Sequence, residues 1–408
     1  MVYWLQNEPW KTLYTSYASA KYYLIDAPLR SIFYAPFFLR PRPSWSFQKC
    51  MIVPQAKQWS AFGDVAEHVG NIRTWPTHRA IPDDATVAGV WVDPAPVLLT
   101  EELLSWARAG SVDLVRIPGY WITTDGAGTD AHAAPGEKVI YYLHGGGYIS
   151  ESAHPSEFMS TIPRAILRRS LASRAFSVEF RLTNMNPLVP PEERNPFPAA
   201  LLDALAGYAY LVDTLGFRPE DIIVVGDSAG GHLALSLARY IAQNTAHLRT
   251  TLEAFRQRDS AAPPDYHLIL LSPWADMGLS HYYHGGSERE FYYDFLGDPH
   301  EGLLAEVTRV LTAPLGADAA EHNPYLSPAS RNVQASFSGF PRTFIAVGDA
   351  ERLYDQVVTL RDKIRADIGE EKVGWFVGRD AVHDYLLFPF EAEQTAETLN
   401  AIEKWLKE

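Results

Sequence analysis

A single cysteine, Cys50, stands in 408 residues, so no intrachain disulfide can form, and no asparagine has serine or threonine two positions later. Both absences favour an intracellular setting. No run of about 18 or more apolar residues is present to span a membrane as a helix. The opening MVYWLQNEPWK lacks a basic region followed by an apolar core and a small-residue cleavage site, so no signal peptide is expected. Positive charge is scarce: 35 Lys and Arg face 49 Asp and Glu, a formal charge of -14 without a basic cluster, which argues against nucleic acid as a partner. Internal repeats and low-complexity tracts are missing too.

What is present is apolar patterning, 47% hydrophobic by composition, enough for one large domain with insertions or for two. Strand-like runs KVIYYL (138–143), AFSVEF (175–180), DIIVVG (221–226), YHLILL (266–271), TFIAVG (343–348) and KVGWFV (372–377) alternate with helical periodicity in PAALLDALAGYAYLVDTLG, HLALSLARYIAQ, YDQVVTLRDKIRADI and EAEQTAETLNAIEKWLK. That alternation implies an α/β fold with a mostly parallel sheet covered on both faces. Upstream, VAGVWV (87–92) and VDLVRI (112–117) read as strands on either side of a helix, EELLSWARAG. The chain divides into an N-terminal lead-in, residues 1–80, and a domain over 81–408. Within the lead-in, AKYYLIDAPLRSIFYAPFFLR (20–40) reads as a cap helix, and its aromatic content also fits peripheral contact with a bilayer interface. RPRPSW (40–45) is a Pro-rich break after it.

Four polar clusters fall at predicted strand ends, where α/β sheets gather their chemistry. Gly226-Asp227-Ser228-Ala229-Gly230 fits a nucleophile elbow, in which small residues flank a serine on a strained strand-to-helix turn. His144-Gly145-Gly146-Gly147 follows an apolar strand, and its glycines let backbone N–H groups approach a developing oxyanion. Neither G-x-G-x-x-G spacing nor a following Lys-Ser/Thr supports a phosphate loop there. In an elbow hydrolase the acid and then the histidine come after the serine. His383 is the last of thirteen histidines and follows the final strand. For the acid, GDAERLYD offers Asp349, Glu351 and Asp355, and residue chemistry alone leaves all three open. Asp227 reads as structural, and the HxxH pair His281 and His284 lacks the companions of a metal site.

HGGG, GDSAGG, FRLT followed by NPFPAALLD, and the acid-Arg-Leu-Tyr-Asp run before a late histidine together resemble the hormone-sensitive-lipase (family IV) group of α/β hydrolases over roughly residues 85–400. The lead-in ending RPRPSWS resembles fungal members. The resemblance implies the α/β-hydrolase fold, with a helical cap from the N-terminal segment and an insertion at about 275–335. It implies a Ser228, Glu351, His383 triad, Glu351 standing where Asp is usual, with oxyanion donors on Gly146, Gly147 and Ala229. The chain departs from the group where FRLTN is followed by a longer NMNPLVPPEER loop, which bears on the shape of the substrate rather than on the triad. Aromatic residues in SHYYHGGSEREFYYDFLGDPH (280–300) would help roof an acyl or alcohol pocket. The implied activity is hydrolysis of short- to medium-chain or acetyl esters of a hydrophobic alcohol, without cofactor or metal. Alternatives on the same scaffold are an acyltransferase, an amidase, or a non-catalytic small-molecule receptor such as the plant gibberellin receptors, which lack the histidine.

Overall fold

A computed structural model describes residues 8–66, 88–123, 131–186, 189–316 and 318–408. Expectations touching residues 1–7, 67–87, 124–130 and 187–188, among them the end of the lead-in, Val87 and part of the NMNPLVPPEER loop, lie outside the described residues.

Eight strands form one sheet: β1 Gly89–Val92, β2 Ile117–Thr123, β3 Lys138–Leu143, β4 Ala172–Val178, β5 Ile222–Asp227, β6 His267–Leu271, β7 Arg342–Gly348 and β8 Val373–Gly378. Their order is β1-β2-β4-β3-β5-β6-β7-β8. β2 runs antiparallel to both neighbours, and every pair from β4 through β8 is parallel. This is the sheet of an α/β-hydrolase fold.

Central strands are buried on both faces, which is why they read as continuous apolar runs. Alternate side chains divide between two cores. Val224 and Leu268 face the helices Ala199–Ala209, Ser228–Gln243 and Tyr354–Ile368. Ile223, Val225 and Ile269 face Thr161–Leu167 and Ala392–Lys407.

One expected strand is misplaced. Residues 113–116 of VDLVRI pair with nothing in the sheet, and β2 is IPGYWIT instead. Pro118 and Gly119 depress strand propensity, yet the close pairing with β4 needs Gly119. A Cβ at Gly119 would stand 2.3 Å from the Phe176 ring on β4. The strand expected at 175–180 begins three residues earlier, at Ala172.

The lead-in forms helices Trp10–Lys21 and Ala27–Tyr34, joined by a π-helical turn Tyr22–Asp26, and a longer helix Phe47–Ala66. Between β6 and β7 the alternation breaks into short helices Ser287–Glu290, Gly302–Thr312 and Ala319–His322.

Candidate active site

β5 ends at Asp227, and Ser228 opens the next helix with φ 49°, in the left-handed region. Such a conformation costs a non-glycine residue about 1–3 kcal/mol, which the surrounding packing must offset. The packing explains the small neighbours. A Cβ on Gly226 would lie 2.2 Å from the Gly230 carbonyl oxygen, and one on Gly230 would lie 2.1 Å from that of Leu143. The elbow therefore wedges the helix start against β3.

His383, on the loop after β8, places Nε2 2.9 Å from Ser228 Oγ. Glu351, on the loop after β7, places Oε2 3.7 Å from His383 Nδ1, an ion-pair distance longer than a hydrogen bond. The other two acids point elsewhere. Asp349 accepts from Arg42 and from the Asp380 N–H, and Asp355 accepts from Tyr283 and the Ser287 N–H. Of the three acids in GDAERLYD, Glu351 alone has its carboxylate beside the imidazole.

On the other side of Ser228, the glycine loop folds back on itself. Gly146 has φ 99° and Gly147 φ 61°, and the Gly146 carbonyl accepts from the N–H groups of Ile149 and Ser150. The N–H groups of Gly146 and Gly147 donate to no backbone or side-chain acceptor among the described residues. Ala229 lies in the first helical turn, whose N–H groups have no intrahelical partner. His144 is buried, stacked on Phe180 at 4.3 Å, and bonds the Gly145 oxygen. Burial lowers its pKa to about 4, so it is a neutral prop for the loop. Asp227 accepts from Tyr142 Oη at 2.6 Å, and burial raises its pKa to about 7.

Three residues escaped the sequence reading. Ser272, following β6 with φ 44°, donates to Glu351 Oε2 at 2.7 Å. Asp294, from the 280–300 segment, accepts from the His383 N–H with one oxygen and from the Arg352 N–H with the other, tying together the loops that carry Glu351 and His383. Asp384 brings Oδ2 within 3.3 Å of His383 Nε2. These contacts span 58 to 89 residues of sequence, apart from that of the adjacent Asp384, so no local spacing announces them.

The electrostatics follow from burial and crowding. Burial pulls His383 down, but Asp384, Glu351 and Asp294 pull harder in the other direction and lift it to about 10. Burial likewise raises Glu351, Asp294 and Asp384 above the ordinary carboxyl range, against the attraction of His383. His383 and Asp384 are both pushed upward, so the pair retains a proton through neutral pH. His281 engages Asp276 and Thr359 with its two ring nitrogens, which commits both to protein partners.

RPRPSW is more than a break. Arg42 bonds Asp349 and Asp380, Trp45 donates to the Asp380 carbonyl, and Lys49 pairs with Glu391, whose carboxylate also accepts from the Val382 N–H. Trp45, Cys50 and Val53 pack against Ala350 and Val382, the residues immediately before Glu351 and His383. Above the glycine loop, Leu304 would be 3.6 Å from a Cβ on Gly147, and Phe295 lies 5.9 Å from the His383 ring.

Comparison with known proteins gives the same bearing. A family model described as the alpha/beta hydrolase fold matches residues 140–387, a span that contains Ser228, Glu351 and His383. An acetyl-hydrolase of Streptomyces hygroscopicus is 28% identical over 224 residues, covering 55% of this chain and 60% of its own length. An esterase of Acinetobacter venetianus is 27% identical over 238 residues, 58% of this chain and 64% of its own length. The chain thus spans under two thirds of these curated relatives. Among solved structures, a hormone-sensitive lipase from a metagenome library superposes with a TM-score of 0.53 at 26% identity, covering 80% of this chain and 87% of that one.

Proposed function

The chain belongs to the alpha/beta hydrolase fold family, and we propose that it hydrolyses carboxylic esters through Ser228, His383 and Glu351. Motifs and the solved lipase neighbour together support the hormone-sensitive-lipase group. The RPRPSWS lead-in adds a likeness to fungal members. The observation that carries the reading is the 2.9 Å contact between Ser228 Oγ and His383 Nε2, with a carboxylate behind the ring.

The chemistry is acyl transfer in two steps. His383 Nε2, in its base form, takes the proton of Ser228 as its Oγ attacks the carbonyl carbon. Glu351 stabilises the imidazolium that forms. Charge collects on the former carbonyl oxygen, where the N–H groups of Gly146, Gly147 and Ala229 receive it. Each such donor contributes about 2.7–4 kcal/mol to the transition state. His383 then protonates the departing alcohol, and water repeats the sequence on the acyl enzyme. Leu304 and Phe295 form apolar walls, which fits a hydrophobic ester with a short to medium acyl or acetyl group. The insertion over 275–335 and the N-terminal segment make the cap.

The test is hydrolysis of p-nitrophenyl esters from acetate to palmitate. Ser228→Ala should lower kcat by on the order of 10⁴-fold or more. The chain-length optimum reports the acyl pocket, and added acceptor alcohols separate hydrolysis from acyl transfer by the transesterified product. A wild-type chain inert on every ester and amide, yet binding a small ligand, would overturn the reading in favour of a receptor.

A further inference from the structure

The N-terminal helices leave much of their apolar surface exposed. From Trp10 to Tyr34 the backbone is helical without a break, a rod of about 37 Å at 1.5 Å per residue. Ala18 and Tyr22 are buried on the inner side, with Lys11, Thr15, Arg30 and Ser31 half-buried nearby. The outer side carries Leu13, Tyr17, Leu24, Leu29, Ile32 and Phe33, every one more than half exposed and Leu24 76%. Phe37 and Phe38 extend the surface past the helix end, also mostly exposed.

The π turn makes this surface continuous. One residue accommodated in such a turn rotates everything after it back by about 100°. On an unbroken α-helix Leu29 and Phe33 would drift round to the far side from Leu13. With the π turn at Tyr22–Asp26, Leu29 and Ile32 fall in line with Leu13 and Tyr17. An open hollow of about 420 Å³, lined by Leu29, Arg30, Ile32, Phe33 and Tyr34, sits at the end of the stripe.

Charge singles out the occupant. Residues 10–39 hold three Lys and Arg against one Asp, net +2 in a chain of -14, while Arg42 and Lys49 further on are paired with acids of the body. A second copy docking on the same face would set like charge against like. An anionic bilayer would repel the acidic body and attract this segment. No described helix is long and apolar enough to cross a membrane, so the rod would lie in the interface. We propose that the outer face of residues 10–39 docks on an anionic lipid bilayer, with its aromatic and aliphatic side chains entering the headgroup–acyl boundary and Arg30 beside lipid phosphate at the hollow.

Binding is read by sedimentation of the full chain with vesicles of phosphatidylcholine, with and without phosphatidylserine, so the result is independent of any hydrolysis. Wild type should sediment with the anionic vesicles, less so at high salt. The double variant Leu24→Glu/Ile32→Glu should lower the partition coefficient by about tenfold or more while keeping its Tm, because both positions face solvent. Equal sedimentation with and without vesicles would overturn the proposal. So would a concentration-dependent dimer that the double variant abolishes in the absence of vesicle binding.

Discussion

At His383 the imidazole meets Ser228 and Asp384 through Nε2 and faces Glu351 across Nδ1, while Asp294 holds its backbone N–H. Each acid has a separate task, and substitution should separate them. Glu351→Gln keeps the shape but loses the charge that stabilises imidazolium, so kcat on p-nitrophenyl esters should fall by on the order of 10⁴-fold. Asp349→Asn and Asp355→Asn should cost far less, because neither side chain bonds the ring. Asp384→Asn works in the opposite sense on the proton. Its carboxylate is one of the groups that lift His383 to about 10. Removing that charge lowers the imidazole pKa, and the base form appears at lower pH. The acid limb of kcat/KM against pH should move down by about one unit or more. An unmoved limb would show that Asp384 has no hold on the proton.

Among the elements, the strand–serine–helix unit was legible in the sequence because everything that shapes it is adjacent: an apolar strand, Gly226 and Gly230 where no Cβ fits, and a helix running to Gln243. β2 was not, since Gly119 answers to Phe176 on another strand rather than to its neighbours in sequence. For the same reason Glu351 was separable from Asp349 and Asp355 only through family likeness, and Ser272 and Asp294 gave no signal at all. Their roles exist only once distant loops meet. RPRPSW likewise read as a break, whereas it braces both triad loops. Arg42→Ala would leave Asp349 and Asp380 without their shared cation, destabilising the fold by about 1–3 kcal/mol. Differential scanning calorimetry should show a lower Tm, and esterase activity should fall along with it. Unchanged values of both would mean the brace is ornamental.

Across the whole molecule, pH sets buried histidines against buried acids. His144, His232 and His267 are lowered to about 4, chiefly by burial, so between 4 and 6.5 the unfolded chain binds more protons and these residues cost stability as pH falls. Asp227, raised to about 7, binds its proton more tightly when folded and opposes that trend as pH falls. His267 meets Trp405 edge to face at 5.2 Å, away from Ser228 and His383. His267→Gln should therefore flatten the loss of Tm between pH 6.5 and 5 by up to one proton's worth of slope, with activity at neutral pH retained. Time enters through the same long-range design. Arg42 and Asp349 are 307 residues apart, so at ribosomal speeds of about 5–20 residues per second the brace waits roughly 15–60 s for its partner to be synthesised. Throughout that interval the apolar rod of residues 10–34 has left the ribosome while the loops that anchor it do not yet exist. Whatever shelters nascent apolar surface in the cell, chaperone or bilayer, has that interval in which to meet these helices.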